Sequence, residues 1–175
     1  MIDGVLTLFK VFIEIIFFRK GPGDIPHSPI LLLMVSAFWC LFGIVASVVI
    51  ETNQREGLLF DLILAIAGLA IYALIINSFG RSERIIRCFT AILGCSVIFS
   101  IILLLVQVAL PAVLTSDATG LAMQIIWLWS IPVEGHIISR TIDRQWVFGF
   151  LIAIAVLFVQ LQLFAYLNPM FGSVA

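Results

Sequence analysis

Long apolar stretches alternate with short polar segments along most of the chain, and five of these stretches are long enough to cross a membrane as helices. A membrane-spanning helix needs roughly 20 apolar residues to cross about 30 Å of hydrocarbon. Helices satisfy their own backbone hydrogen bonds inside lipid, whereas open strands do not. The predicted spans are residues 30–50, 58–79, 88–110, 121–139 and 146–167. The pattern therefore predicts an all-α fold, with a five-helix transmembrane domain over residues 30–175.

The fourth predicted span differs from the others because polar and helix-disrupting residues lie in its C-terminal half. Pro132 removes one backbone hydrogen bond and Gly135 loosens the helix further, so we expect a broken helix here. Glu134 and His136 lie beside them, and a charge inside the apolar region is costly. The other formal charge within a predicted span is Asp61, which lies near the end of its span, where it can reach water.

The N-terminal segment, residues 1–20, has a different pattern from the spans. Its polar positions are Asp3, Thr7, Lys10 and Glu14. This spacing places them in one narrow stripe along a helix whose remaining surface is apolar. Lys10 interrupts the apolar run too early for a span, and the basic pair Arg19-Lys20 follows the apolar part instead of preceding it as in a signal peptide. We predict an amphipathic helix in the cytoplasmic interface that either packs on the bundle or docks a partner.

Residues 21–29 predict a hinge between this helix and the first span. The hinge reads Gly21, Pro22, Gly23, Asp24, Ile25, Pro26, His27, Ser28 and Pro29. Two glycines and three prolines do not allow the preceding helix to continue. Ser28 suits the N-cap of the next helix and Pro29 suits its first turn. The segment is interpreted as a rigid turn, with a docking loop as the alternative.

Composition places the protein in the membrane. Of its 175 residues, 63% are hydrophobic and 11% are charged, and the mean hydropathy is +1.24. A soluble domain is about half apolar and about a quarter charged. These values exclude a soluble globule, a disordered tail and a nucleic-acid-binding protein. The expected partners are the lipid bilayer and other membrane protein subunits.

The distribution of basic residues predicts the orientation. With five spans, one side holds Lys10, Arg19, Lys20, Arg81, Arg84, Arg87, Arg140 and Arg144. The other side holds Arg55 alone. Because cytoplasmic loops carry an excess of Lys and Arg, we place the N-terminus in the cytoplasm and the C-terminus outside. The expected location is a bacterial inner (plasma) membrane.

Candidate functional residues gather at the cytoplasmic end of the predicted bundle. They are Asn77, Arg81, Arg84, Glu134, His136 and Arg140. A Glu134–Arg pair would neutralise both charges. The cluster is either a structural network of ion pairs and hydrogen bonds, a proton or ligand site, or a surface that docks a partner.

Other chemistry-bearing patterns are weak. The sequence has no nucleophile elbow, HExxH, CxxC or glycine-rich phosphate loop, so we predict no catalytic residue, metal or cofactor. The three cysteines are interpreted as packing residues. Gln107, Gln124 and Gln160 are expected to hydrogen-bond between helices, and Gly149 with Ala153 favours close helix contact.

The layout resembles that of the Yip1-type membrane proteins, which have five spans, a cytoplasmic N-terminus and a very short outer tail. The resemblance covers residues 30–175 and concerns topology. The Gly21-Pro22-Gly23-Asp24 turn differs from the acidic-Leu-Tyr-Gly-Pro signature of the eukaryotic members, and their long cytoplasmic domain has no counterpart here. The resemblance implies a non-enzymatic membrane organiser or adaptor and transfers no functional residue.

The leading hypothesis is a non-catalytic integral membrane scaffold, adaptor or accessory subunit of a membrane complex. The alternative is a small transporter or proton-linked channel that uses Glu134 and His136. An intramembrane enzyme is a third hypothesis, for which the sequence offers no nucleophile.

Overall fold

The computed structural model describes the backbone of residues 2–49, 54–109, 111 and 115–171. The six helices are α1 (Ile2–Ile16), α2 (Pro29–Val49), α3 (Gln54–Ser78), α4 (Ile85–Ala109), α5 (Ser116–Thr141) and α6 (Trp146–Phe171). Short 3-10 turns occupy Pro22–Asp24 and Ser82–Arg84. No strand occurs within these ranges, so the all-α prediction is confirmed. Parts of both predicted outer loops, 50–53 and 112–114, lie outside the described residues.

Helix boundaries follow local chemistry. Ser28 caps α2, since its Oγ accepts a hydrogen bond from the Leu31 amide at 3.3 Å. Helix α3 ends at Ser78, and Gly80 follows it with a φ of +68° in a turn in which the Arg81 amide donates to the Ile76 carbonyl at 3.1 Å. A left-handed residue just after a helix commonly satisfies the last carbonyls in this way. The helix predicted to follow the hinge thus begins at Pro29, and its crossing of the membrane stays a prediction.

Within the described ranges, four helices are long and apolar enough to cross a membrane. These stretches are Asp61–Ser78, Ser82–Ala109, Asp117–Thr141 and Trp146–Leu167. In α2, the shorter stretch Pro29–Val45 is apolar as well. The chain is therefore compatible with a multi-pass integral membrane protein.

Helix α5 corrects one expectation, because it is not broken. It runs without interruption from Ser116 to Thr141 with Pro132 inside it. Proline is tolerated inside membrane helices because neighbouring groups compensate for the lost hydrogen bond. Packing against α6 and α4 holds the two halves of α5 in one helix.

Helix α4 lies at the centre of the bundle. Every residue from Thr90 to Cys95 is buried, and α4 packs against α1, α2 and α5. Gly94 allows α1 to approach α4 closely, since a Cβ at this position would collide with the Phe12 ring of α1. Helix α3 lies farther out and packs mainly on α6.

Helices α5 and α6 form the most extensive pair. They meet at two glycines, and a Cβ on Gly149 would collide with the Gly135 carbonyl and with Ser139. A Cβ on Gly135 would in turn lie 2.6 Å from the Phe150 Cα. The predicted close contact at Gly149 and Ala153 is confirmed, since Ala153 is also buried.

Helix α1 packs on the bundle through one face. Val11, Phe12, Ile15 and Ile16 are buried there. On the polar stripe Lys10 is exposed, and Glu14 forms an ion pair with Lys20 whose Nζ–Oε2 distance is 2.7 Å. Of the two expectations for this helix, packing on the bundle is the one present in the structure, and its position in the membrane interface stays a prediction.

Candidate functional site

Glu134 points into the bundle and meets a tyrosine. Its Oε2 accepts a hydrogen bond from the Tyr72 hydroxyl of α3 at 2.8 Å. Tyr72 is buried, with 3% of its surface exposed. The Glu134–Arg pair that the sequence suggested as a possibility is not found among the described side chains, and Arg81 and Arg84 pair with Asp143 at the end of the bundle.

A small chamber of about 110 Å³ adjoins the Tyr72–Glu134 pair. Ser96 of α4 and Gln160 of α6 add polar groups to its lining, which is otherwise apolar. The Ser96 hydroxyl donates to the Ile92 carbonyl of its own helix at 2.8 Å. Helices α3, α4, α5 and α6 thus each contribute one polar side chain to this chamber.

Gln160 links two of these helices. Its Nε2 donates to the Leu64 carbonyl of α3 at 3.0 Å. The side chain lies over Gly68, where a Cβ would collide with the amide nitrogen. The prediction that Gln160 hydrogen-bonds between helices is confirmed.

His136 faces away from the chamber and toward the hinge. Its Nε2 lies 2.9 Å from the Lys20 carbonyl oxygen, and the Phe18 ring meets the imidazole edge to face at 5.2 Å between centroids. Phe18 has a φ of +60°, an uncommon conformation for a bulky residue, and its ring also contacts Trp129 and Trp146. His136 therefore fastens the end of α1 to α5 and does not share a site with Glu134.

Arg81 and Arg84 form a separate ion-pair cluster on Asp143. Arg81 Nη2 lies 2.8 Å from Asp143 Oδ2, and Arg84 Nη1 lies 2.8 Å from Asp143 Oδ1. Arg84 Nη1 also donates to the Thr141 carbonyl at 3.1 Å. The hydrogen bond from Arg84, and then the two positive charges, hold the pKa of Asp143 below its usual value. This cluster joins the loop between α3 and α4 to the loop between α5 and α6.

The two remaining members of the predicted cluster are Asn77 and Arg140. Asn77 is exposed near the end of α3, where its carbonyl accepts from the Gly80 amide at 2.9 Å. Arg140 lies near the end of α5 and packs along the hinge, with its Cγ 3.3 Å from the position of a Cβ on Gly21. The structure therefore divides the predicted cluster among the chamber, the Asp143 cluster and the hinge.

The hinge is an ordered turn that packs against α4 and α5. Asp24 Oδ2 accepts from the Gly21 amide at 3.0 Å, and the Ile25 amide donates to the Pro22 carbonyl at 3.2 Å. Pro22 and Ile25 are buried. The exposed positions of the hinge are Gly23, Asp24, Pro26, His27 and Pro29. The arrangement agrees with the interpretation as a rigid turn.

Candidate metal ligands and cysteines are dispersed over the part of the chain that is described. No group of three His, Cys, Asp or Glu side chains there is placed to hold a metal ion. All three cysteines are free: Cys88 and Cys95 are buried and Cys40 is exposed.

Sequence reasoning missed two residues that complete these sites, Tyr72 and Asp143. Tyr72 had a signal, since it is the one tyrosine inside the second predicted span and a hydroxyl there needs a partner. Asp143 is the one acidic residue between the last two predicted spans and lies on the side that carries most of the arginines. Both partnerships join residues about 60 positions apart.

Comparison with protein-family models, with curated proteins and with solved structures gave no match to this chain. The function of the protein is therefore inferred from the geometry of these sites.

Proposed function

We propose that the protein is a non-catalytic scaffold, adaptor or accessory subunit of a membrane complex. The observation that carries this proposal is that polar side chains inside the bundle bind other parts of the same bundle. Glu134 accepts from Tyr72, Gln160 donates to the Leu64 carbonyl, and His136 meets the Lys20 carbonyl. These bonds fix the arrangement of helices, which is what a structural subunit requires. The resemblance to Yip1-type proteins implies the same class of function.

The proposed topology has five spans with a cytoplasmic N-terminus. Helix α2 has 21 residues without a charge, which gives a length of about 31 Å at about 1.5 Å per residue. The hinge before α2 packs against α4 and α5 near Arg84 and Arg140, at the end of the bundle where α3 also terminates. This arrangement supports the proposal that α2 carries the chain to the opposite end of the bundle and that α3 returns it.

The alternative function is a small transporter or proton-linked channel. The chamber beside Glu134 favours it, because a buried carboxylate next to a small cavity is a common feature of ion pathways. The separate placement of His136 weighs against a path that uses both residues. A transport role would have to be carried by Glu134 with Tyr72 and Gln160.

Native mass spectrometry after gentle detergent extraction tests the proposal. A scaffold or accessory subunit is expected to co-migrate with stoichiometric foreign subunits. The Glu134→Gln variant should keep this assembly, since the amide oxygen can still accept the Tyr72 hydrogen bond. A matched Gln162→Leu variant, at an exposed position on α6, controls for loss of a polar side chain elsewhere.

Proton flux in liposomes separates the alternative from the proposal. If the purified protein is a monomer or a small homo-oligomer and supports flux that Glu134→Gln abolishes, the scaffold proposal is wrong. If liposomes with the wild type and with Glu134→Gln both lack flux while the foreign subunits are retained, the transporter alternative is wrong.

A further inference from the structure

A cleft of about 410 Å³ lies at the cytoplasmic end of the proposed topology. Three parts of the chain line it: the end of the N-terminal segment with the hinge, the start of α4, and the end of α5. Its basic residues are Arg19, Lys20, Arg84, Arg87 and Arg140, and its acidic residues are Asp24 and Asp143. The cleft therefore carries an excess of three positive formal charges.

The acidic residues of the cleft are already engaged. Asp143 accepts from Arg84 and pairs with Arg81, and Asp24 accepts from the Gly21 amide. Lys20 is paired with Glu14 outside the cleft lining. The amide hydrogen bond does not neutralise Asp24, which therefore remains a negative charge in the cleft. Against it stand three arginines without an ion pair among the described residues, so the groups that are not paired leave an excess of two positive formal charges.

Three arginines of the cleft have no ion pair with any carboxylate that the structure describes: Arg19, Arg87 and Arg140. The Nε of Arg87 is buried and has no hydrogen-bond partner among the described atoms. A buried donor without an acceptor is costly, and the planar guanidinium binds two oxygens of a carboxylate or phosphate side by side. The Arg87 Nε thus lacks an acceptor, which a phosphate oxygen would provide.

We propose that this cleft binds the phosphate of an anionic phospholipid headgroup, with Arg87 and Arg140 as its principal contacts. Basic pockets between helices at the cytoplasmic surface are suited to acidic headgroups, because the lipid phosphate lies at the same depth as the arginines. The proposal goes beyond the scaffold function, since it assigns a ligand site and holds for a scaffold or a transporter.

An apolar groove favours a lipid over free phosphate. It has a volume of about 450 Å³ and lies between α1, α2 and α4, with Phe9, Met34 and Ile98 in its lining. Helix α4 lines both sites, and Gly94 in the groove comes seven residues after Arg87, or about 10 Å along the helix. A phospholipid combines a phosphate and an acyl chain at about this separation.

The test measures lipid binding by native mass spectrometry of the intact purified protein. The probes are short-chain phosphatidylglycerol, phosphatidylcholine of the same chain length, and inorganic phosphate. Phosphatidylglycerol is expected to bind at least tenfold more tightly than phosphatidylcholine, whose phosphate is balanced by choline. Arg87→Gln and Arg140→Gln should each weaken it about fivefold, and the double variant roughly twentyfold.

The variants are chosen to keep the fold. Glutamine at position 140 retains the Cβ, Cγ and Cδ atoms that pack against Gly21, and Arg140→Lys restores the charge. Arg144→Gln is the matched control, because Arg144 is an exposed arginine at the same end of the bundle that contacts the Phe79 ring and does not line the cleft. This control should leave phosphatidylglycerol binding unchanged.

Each outcome decides the proposal. Strong phosphatidylglycerol binding that depends on Arg87 and Arg140, with weak phosphate binding, supports a lipid site. Equally strong, arginine-dependent binding of inorganic phosphate assigns the same cleft to a free phosphate and overturns its assignment to lipid. Equal binding of both lipids, or binding that Arg144→Gln weakens as much as Arg87→Gln does, overturns the proposal.

Discussion

Glu134 and His136 lie two positions apart on α5 and therefore face nearly opposite sides of the helix. Glu134 accepts a hydrogen bond from Tyr72 inside the bundle, and His136 contacts the Lys20 carbonyl at the hinge. A carboxyl group inside a membrane protein is costly unless a polar partner is close. The Tyr72 hydroxyl is such a partner, and the chamber with Ser96 and Gln160 provides further polar surroundings.

The Tyr72–Glu134 bond should contribute measurably to stability. Tyr72→Phe is expected to lower the free energy of unfolding by about 0.6 kcal/mol, the average for hydrogen bonds between membrane helices, and by no more than about 1.7 kcal/mol. Glu134→Ala removes the acceptor, leaves a buried hydroxyl unpaired and should cost about 1–3 kcal/mol. Glu134→Gln keeps an acceptor and should cost less than about 1 kcal/mol. Denaturant unfolding in detergent measures all three, and equal losses for Glu134→Gln and Glu134→Ala would contradict the hydrogen-bond account.

Asp143 predicts a dependence of stability on pH. The hydrogen bond from Arg84 and the charges of Arg84 and Arg81 lower its pKa in the folded protein. A lowered folded pKa stabilises the fold above the unfolded value of about 3.9. This contribution is lost as the pH falls through the folded pKa.

The measurement is the difference in Tm between the wild type and Asp143→Asn. The wild type should have the higher Tm at pH 6, and the difference should shrink as the pH falls below about 4. Thermal unfolding in detergent at a series of pH values records it. A difference that persists unchanged in strong acid would mean that Asp143 acts through packing and not through charge.

At the scale of helices, the α5–α6 pair depends on two glycines. The Gly135 carbonyl and Ser139 occupy the space that a side chain on Gly149 would need. Small residues let membrane helices approach closely, which increases van der Waals contact between them. This contact also fixes how α5 and α6 are rotated against each other, and so the directions in which Glu134 and Trp146 point.

Gly149→Ala should therefore destabilise the protein although alanine favours helices. The added methyl group forces α5 and α6 apart, and overpacking of this kind costs about 1–3 kcal/mol. Gly120→Ala is the control on α5, since no atom lies within 4 Å of a Cβ at that position. It should be neutral or stabilising by up to about 1 kcal/mol. Thermal unfolding of both variants under the same conditions measures the difference. An equal loss of stability in Gly149→Ala and Gly120→Ala would contradict the packing explanation.

Helix positions could be predicted closely from the sequence, because long apolar runs and local capping residues determine them. The predicted span 88–110 corresponds to α4 at Ile85–Ala109, and Ser28 caps α2 as its type and position suggested. Local signals were less reliable inside α5. Pro132 predicted a broken helix, and contacts with neighbouring helices keep it continuous.

The hydrogen-bond and ion-pair partners of the candidate site residues could not be predicted from the sequence. These partners depend on how the helices are rotated against one another. An arginine was one possible partner for Glu134, and the tertiary packing brings Tyr72 to it. Arg81 and Arg84 lie together at one end of the bundle, and Asp143, which joins them, was not recognised from the sequence. Sequence periodicity and charge predict the depth of a residue along the membrane normal. They do not predict its contacts, because the contacting residue comes from a distant part of the chain.

For the whole molecule, the arrangement of charge and apolar surface fits a bilayer. Large apolar side chains are exposed on the outer faces of the bundle, among them Leu74, Leu105, Phe158 and Tyr166. The arginines of the cleft and the Asp143 cluster gather at one end. Which side of a bilayer this end faces stays a prediction from the distribution of basic residues.

Cysteine labelling tests the five-span topology. Cys88 and Cys95 are buried, so replacing the exposed Cys40 by serine provides a background of low reactivity. His27→Cys probes an exposed position just before α2, and Ser82→Cys probes an exposed position after α3. The two cysteines therefore lie before and after the α2–α3 pair along the chain. Because two spans return the chain to the same side, both cysteines should react with an impermeant maleimide from the cytoplasm.

A cysteine at Ser173 completes the experiment. Three further spans separate it from Ser82, so it should react from the outside of intact cells. Labelling of His27→Cys and Ser82→Cys from opposite sides would mean that α2 does not cross and would leave four spans. That result would also place the hinge and Arg84 on different sides of the bilayer, which their shared lining of one cleft does not allow. The labelling pattern therefore tests the topology and the packing of the hinge together.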